Sequence, residues 1–105
     1  MAQFDVYVNP SQSSRAFYPY LVDIQTPYIA ELATRIVIPL GLYSAFGGEA
    51  MKGLTPIITF EDEKLLLLTP QMASLPTKRL HDPIGTLAHL RDRIIGAVDF
   101  ALTGF

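Results

Sequence analysis

The stretch "TRIVIPL", Thr34 to Leu40, sets the tightest limit on what this chain can become. Ile36, Val37 and Ile38 are consecutive and all branched at Cβ. Branching stiffens χ1, which disfavours helix and suits the pleated surface of a sheet. Three such residues in a row leave no polar face. The stretch therefore predicts a strand buried on both faces, ended by Pro39. A strand of this kind needs neighbours, and the rest of the chain supplies them.

Gln3 to Val8 alternates, with Phe4, Val6 and Val8 on one side and Gln3, Asp5 and Tyr7 on the other. That period predicts a strand with one buried face. "NPSQSSR" follows as a loop, and Phe17 to Gln25, "FYPYLVDIQ", reads as a second strand with Pro19 at an edge or bulge. "GLYSAFGGEAMKGL" carries four glycines and reads as a connection with one helical turn. Thr55 to Phe60 and Lys64 to Thr69 flank the charged tip "EDE" and predict a hairpin. "PQMASLPTKRL" is a further extended piece.

Asp82-Pro83 has the form of a helix start, a capping side chain followed by Pro at the first helical position. From there to about Leu102, the apolar residues Ile84, Leu87, Ala88, Ile94, Ile95, Val98, Ala101 and Leu102 recur at helical spacing. Phe100 falls among the polar positions and is expected to point away from the core. Many strands followed by one helix predict a mainly β domain, an antiparallel and barrel-like sheet with a C-terminal helix packed on it. At 105 residues, half of them hydrophobic, residues 1–105 make one domain with a real core.

Charge and composition narrow the function. A net charge of -2 argues against nucleic acid as a direct partner, since phosphate binding draws on clustered Lys and Arg. With no cysteine there is no disulfide and no thiolate metal site. "MAQFDVYVNP" lacks a basic segment followed by a long apolar one, and no run is long enough to span a bilayer. A soluble cytoplasmic domain with no membrane partner is expected. "GLYSAFGGEA" lacks the Lys-Ser/Thr ending of a phosphate loop. His81 and His89 are not one turn apart, so they do not form a zinc pair. Glu61, Asp62 and Glu63 read as a solvated tip. No cofactor is expected.

The C-terminal residues stand out. Ile95, Asp99, Leu102 and Thr103 form a stripe leading into Gly104-Phe105. Phe105 either folds back onto the domain or is displayed as an anchor for a partner.

The stretches "QFDVY" (Gln3 to Tyr7), "LVDIQ" (Leu21 to Gln25), "RIVIPL" (Arg35 to Leu40), "MASLP" (Met72 to Pro76) and the terminal Gly104-Phe105 resemble the CcdB family of bacterial toxins. Their order holds over nearly the whole chain. The resemblance implies an SH3-like barrel of the type shared with MazF and Kid, and a homodimer whose terminal helices end near the two-fold axis. It implies that the chain poisons DNA gyrase by binding the gyrase A subunit, and that a CcdA-like antitoxin neutralises it. DNA is then reached only indirectly, through gyrase or the antitoxin complex. The residues carried over as gyrase contacts are Thr103, Gly104, Phe105 and Asp99, with Gln3, Phe4, Tyr7, Thr26 and Tyr28 beside them. The chain departs from a well-known member of that family, which has Trp at the position of Thr103, Asn at that of Asp99 and Ile at those of Phe105 and Tyr28. Two other readings share the fold: an endoribonuclease toxin of the MazF/Kid type, and a family member that has lost poisoning.

Overall fold

In the computed structural model, which describes residues 2–26, 33–51 and 53–104, one curled antiparallel sheet forms a half-barrel with a helix laid on it. The strands are β1 (Asp5–Val8), β2 (Tyr20–Asp23), β3 (Thr34–Leu42), β4 (Ile57–Phe60), β5 (Glu63–Leu67), β6 (Ala73–Pro76) and β7 (Gly85–Thr86). A single turn of helix, α1 (Tyr43–Phe46), follows β3, and α2 (Arg91–Thr103) closes the order. Across the sheet the order is β4, β5, β3, β2, β1, β7, with β6 also paired to β3.

β3 is the spine. Along one edge Asp23–Tyr20 of β2 face Val37–Leu40. Along the other, β6 takes Thr34–Val37 and β5 takes Leu40–Leu42. Pro39 does not end the strand as its chemistry suggested. It lies between the last residue paired to β6 and the first paired to β5, where its missing N–H costs no ladder bond on that edge. Its carbonyl still accepts from Leu68 N at 3.0 Å.

The predicted hairpin forms as β4 and β5, with Phe60 opposite Glu63. Glu61 and Asp62 both have positive φ, 52° and 60°. That is the backbone of a two-residue hairpin turn whose twist matches the strands.

Both sides of the sheet are buried near its centre. The main core holds Phe4, Val6, Val22, Ile38, Leu40, Ile58, Phe60, Leu65, Leu67 and Leu87, covered by Ile94 and Ala97 of α2. Burying Ile94 alone is worth about 2 kcal/mol. A smaller layer on the opposite face joins Tyr7, Leu21, Val37 and Leu80. Two expectations change as a result. Tyr7 is buried, because the second layer covers the face that alternation assigned to water, and Val8, the last residue of β1, is 42% exposed. Ile36 is 40% exposed although Val37 and Ile38 are buried. It lies on the same face as Ile38, at the end of β3 that runs past the main core.

The helix starts later than Asp82-Pro83 suggested. Ile84 N donates to Val6 O (2.8 Å) and Leu87 N to Phe4 O (2.8 Å), so this segment is drawn onto β1 instead. Gly85 makes the pairing possible: a Cβ there would lie 2.7 Å from the Phe60 ring. The side chain that organises the next turn is Thr86, whose hydroxyl accepts from Ala88 N at 3.1 Å. Phe100 is half-buried, with its ring 3.9 Å from the position a Cβ on Gly53 would take. The glycine-bearing connection folds over it, so it does not stand free. Val98 is half-buried against the core. Among the described residues no helix is long and apolar enough to cross a membrane.

Candidate functional site

The residues singled out from the sequence fall into two groups by the bonds that hold them. The first is the end of α2. Asp99 and Thr103 are exposed one turn apart, and the Thr103 hydroxyl donates to the Asp99 carbonyl oxygen at 2.6 Å. Gly104 adopts φ +79°, and its N–H bonds Phe100 O at 2.9 Å. Such a left-handed cap satisfies a carbonyl that the helix end leaves free, and glycine takes it without strain. Leu102 beside them is 70% exposed. The helix therefore ends in a fixed shape that carries apolar surface and one carboxylate, with no basic residue in its last turn.

The second group surrounds the end of β2. Gln3 is half-buried and its Nε2 donates to Ile24 O at 3.0 Å. Thr26 is half-buried, two residues beyond Ile24. Phe4 N donates to Asp23 O.

Phe4 and Tyr7 take a different place from the one the resemblance implies. They are 3% and 1% exposed. Phe4 lies in the main core and Tyr7 in the opposite layer, so neither side chain presents a contact face in this chain. Phe4 also has φ +73°, a conformation that costs a bulky L residue about 1–2 kcal/mol. Burial of its ring and the two backbone bonds it makes, to Asp23 and from Leu87, hold it there. Tyr28 and Phe105 lie outside the described residues.

Under the second group lies an arrangement that residue-by-residue reading missed. Asp23 and Arg35 are fully buried and paired, Nη2 to Oδ2 at 2.8 Å and Nε to Oδ2 at 2.9 Å. Gln25 N donates to Asp23 Oδ1 (2.9 Å), and Arg35 Nη2 donates to Gln25 O (3.2 Å). The Gln25 side chain accepts from Ile36 N through Oε1 at 3.0 Å. Burial pushes the Asp23 carboxyl above its ordinary value, opposed by the Gln25 N–H and by Arg35. The same surroundings raise the Tyr7 phenol to about 12, through burial first and then the Asp5 and Asp23 carboxylates. The available signal was opposite charges inside two apolar strands, Asp23 in "LVDIQ" and Arg35 in "RIVIPL".

The serine loop is ordered around Asn9, which is 6% exposed. Its Nδ2 donates to Ser14 Oγ (3.0 Å) and Tyr18 O (2.8 Å), and its Oδ1 accepts from Ser11 N (3.0 Å). Arg15 Nε donates to Asn9 O at 2.8 Å. The loop rims a hollow of about 220 Å³ floored by Leu21, Val37 and Leu75. Among the described residues no group of three His, Cys, Asp or Glu could hold a metal ion.

A protein-family model described as "CcdB protein" matches residues 3–104. The chain belongs to the CcdB family. CcdB membership makes it a toxin of the toxin–antitoxin class. The match takes in both residue groups, including the capped end of α2.

Proposed function

We propose that this chain acts on DNA gyrase as a homodimer, binding the gyrase A subunit and trapping the cleaved gyrase–DNA complex, and that a CcdA-like antitoxin neutralises it. The observation that carries this reading is the CcdB match, which includes Asp99, Thr103 and Gly104. The form of the α2 end supports it. A capped helix terminus presents Leu102, Thr103 and Asp99 with little freedom left to lose, which favours affinity through preorganisation.

The chemistry asked of the toxin is binding alone. The contacts assigned to the target are Asp99, Thr103, Gly104 and Phe105, together with Gln3, Thr26 and Tyr28. Phe4 and Tyr7, buried on opposite faces of the sheet, are packing residues and not contacts. A two-fold dimer presents two identical sets of contacts to a two-fold target. The Asn9-ordered loop and the hollow beside it suit an antitoxin segment that folds as it binds. The place of action is the cytoplasm.

Gyrase supercoiling with purified protein tests the reading. Accumulation of linear DNA on denaturing the reaction is the expected result, with RNA left intact in a parallel incubation. Unchanged supercoiling with no linear product would remove gyrase as the target, and RNA cleavage would move the chain to the ribonuclease class.

A further inference from the structure

The two anchors of the β2 end meet at three consecutive residues. Gln3 hangs on Ile24 O and Phe4 on Asp23 O, while Thr26 follows directly from Gln25. What fixes residues 23–25 is the buried set beneath them. Asp23 receives three donors: Arg35 Nε, Arg35 Nη2 and Gln25 N. Gln25 is held at its N–H, its carbonyl and its side chain. Its Oε1 takes the N–H of Ile36, just past the point where Ile24 N bonds Ile36 O at 2.9 Å. The side chain thus continues the ladder after the β2 backbone has left it.

A buried ion pair is a poor device for stability. Desolvation offsets most of the attraction, and apolar residues of similar volume commonly do as well or better. This one is also incompletely satisfied: Arg35 Nη1 and Tyr7 Oη are buried without a hydrogen-bond partner among the described residues. What the set supplies is geometry. A planar guanidinium forked onto a carboxylate and a carbonyl admits one arrangement, where an apolar contact admits many.

We propose that Asp23, Arg35 and Gln25 are positioning residues of the target-binding surface, holding Gln3 and Thr26 in the orientation that binds. This rests on the gyrase reading, so the test separates the two.

Gyrase A affinity and backbone hydrogen exchange are measured on wild type and on two variants, Asp23→Leu/Arg35→Met and Gln25→Leu. The double variant is expected to fold with a melting temperature near or above wild type. Its amides at Ile24–Thr26 should exchange faster, and its gyrase affinity should fall about tenfold or more as preorganisation is lost. Gln25→Leu keeps the ion pair and should show the same two changes to a smaller extent. It carries the test if the double variant does not fold. Folded variants that bind like wild type overturn the positioning role. If wild type itself does not bind gyrase, the gyrase reading falls, and exchange at Ile24–Thr26 then decides whether the set fixes this backbone. Unchanged exchange there overturns the proposal by itself.

Discussion

The Thr103 hydroxyl turns back onto the Asp99 carbonyl oxygen at 2.6 Å, so the two residues act as one unit at the end of α2. The bond absorbs an acceptor at the helix end and leaves the Asp99 carboxylate without a described partner. Among the described residues, the surface there presents Leu102, Thr103 and the Asp99 carboxylate.

That unit lies outside the core, which separates display from folding. Deleting Gly104 and Phe105, or replacing Phe105 by Ala, is expected to change thermal stability by no more than about 1 kcal/mol. Linear DNA in the gyrase assay should disappear, because removing an interface anchor commonly costs about 2 kcal/mol or more per site. Stability lost with poisoning retained would place Phe105 in its own domain's packing.

Asp99 opposes the helix dipole, since a carboxylate near a C-terminus is disfavoured. Asp99→Asn is expected to raise stability slightly, by about 0.3–1 kcal/mol at low ionic strength. In gyrase binding the same change should flatten the dependence of affinity on salt. Equal salt slopes for the two proteins would show that the charge faces no counterpart.

Tyr7 supplies an alkaline signature. Its folded pKa is raised to about 12, above the ordinary 10, so the folded state holds its proton where the unfolded state releases it. The associated stability is complete below about pH 10 and is lost as pH rises toward 12. Denaturant titrations from pH 9 to 12 should show this fall in wild type and a weaker one in Tyr7→Phe. At neutral pH Tyr7→Phe should be nearly neutral or stabilising, because the buried hydroxyl has no described partner. A loss of more than about 2 kcal/mol at neutral pH would mean the hydroxyl is bonded after all.

Val37 and Ile36 are adjacent in β3 but belong to different environments, 2% and 40% exposed. Val37→Asp is expected to abolish folding, since an unpaired buried carboxylate costs several kcal/mol, comparable with the stability of a whole domain. Ile36→Asp should leave the far-ultraviolet circular dichroism of a folded protein. Equal behaviour of the two variants would show that β3 does not have this register.

How much of this could be read in advance depended on whether the cause was local. Consecutive β-branched residues placed β3, and the alternating runs around "EDE" placed the β4–β5 hairpin, because strand propensity and turn chemistry act over a few residues. The helix start failed because Asp82-Pro83 competes with a distant partner: β1 captures residues 84–87, and only Gly85 fits beneath Phe60. Tyr7 is buried against expectation because alternation does not say whether a sheet is covered on one face or two. Of the proposed binding surface, helical spacing marked only the stripe of Asp99 and Thr103 leading to Gly104, and the role given to these residues came from the resemblance. The Asp23–Arg35–Gln25 set was not legible, because its members meet only once β2 and β3 are in register.

The pairing of β1 with β7 also has a consequence for timing. β1 receives its outer neighbour only once residues 85–86 have been made, and α2, which covers the core, comes after that. Nascent chains stalled before Ile84 should therefore be cut readily by protease, and chains stalled beyond residue 104 with a linker should resist. Until residues 84–97 are in place, β1 lacks its outer neighbour and the main core lacks its cover, so this fold is completed late along the chain.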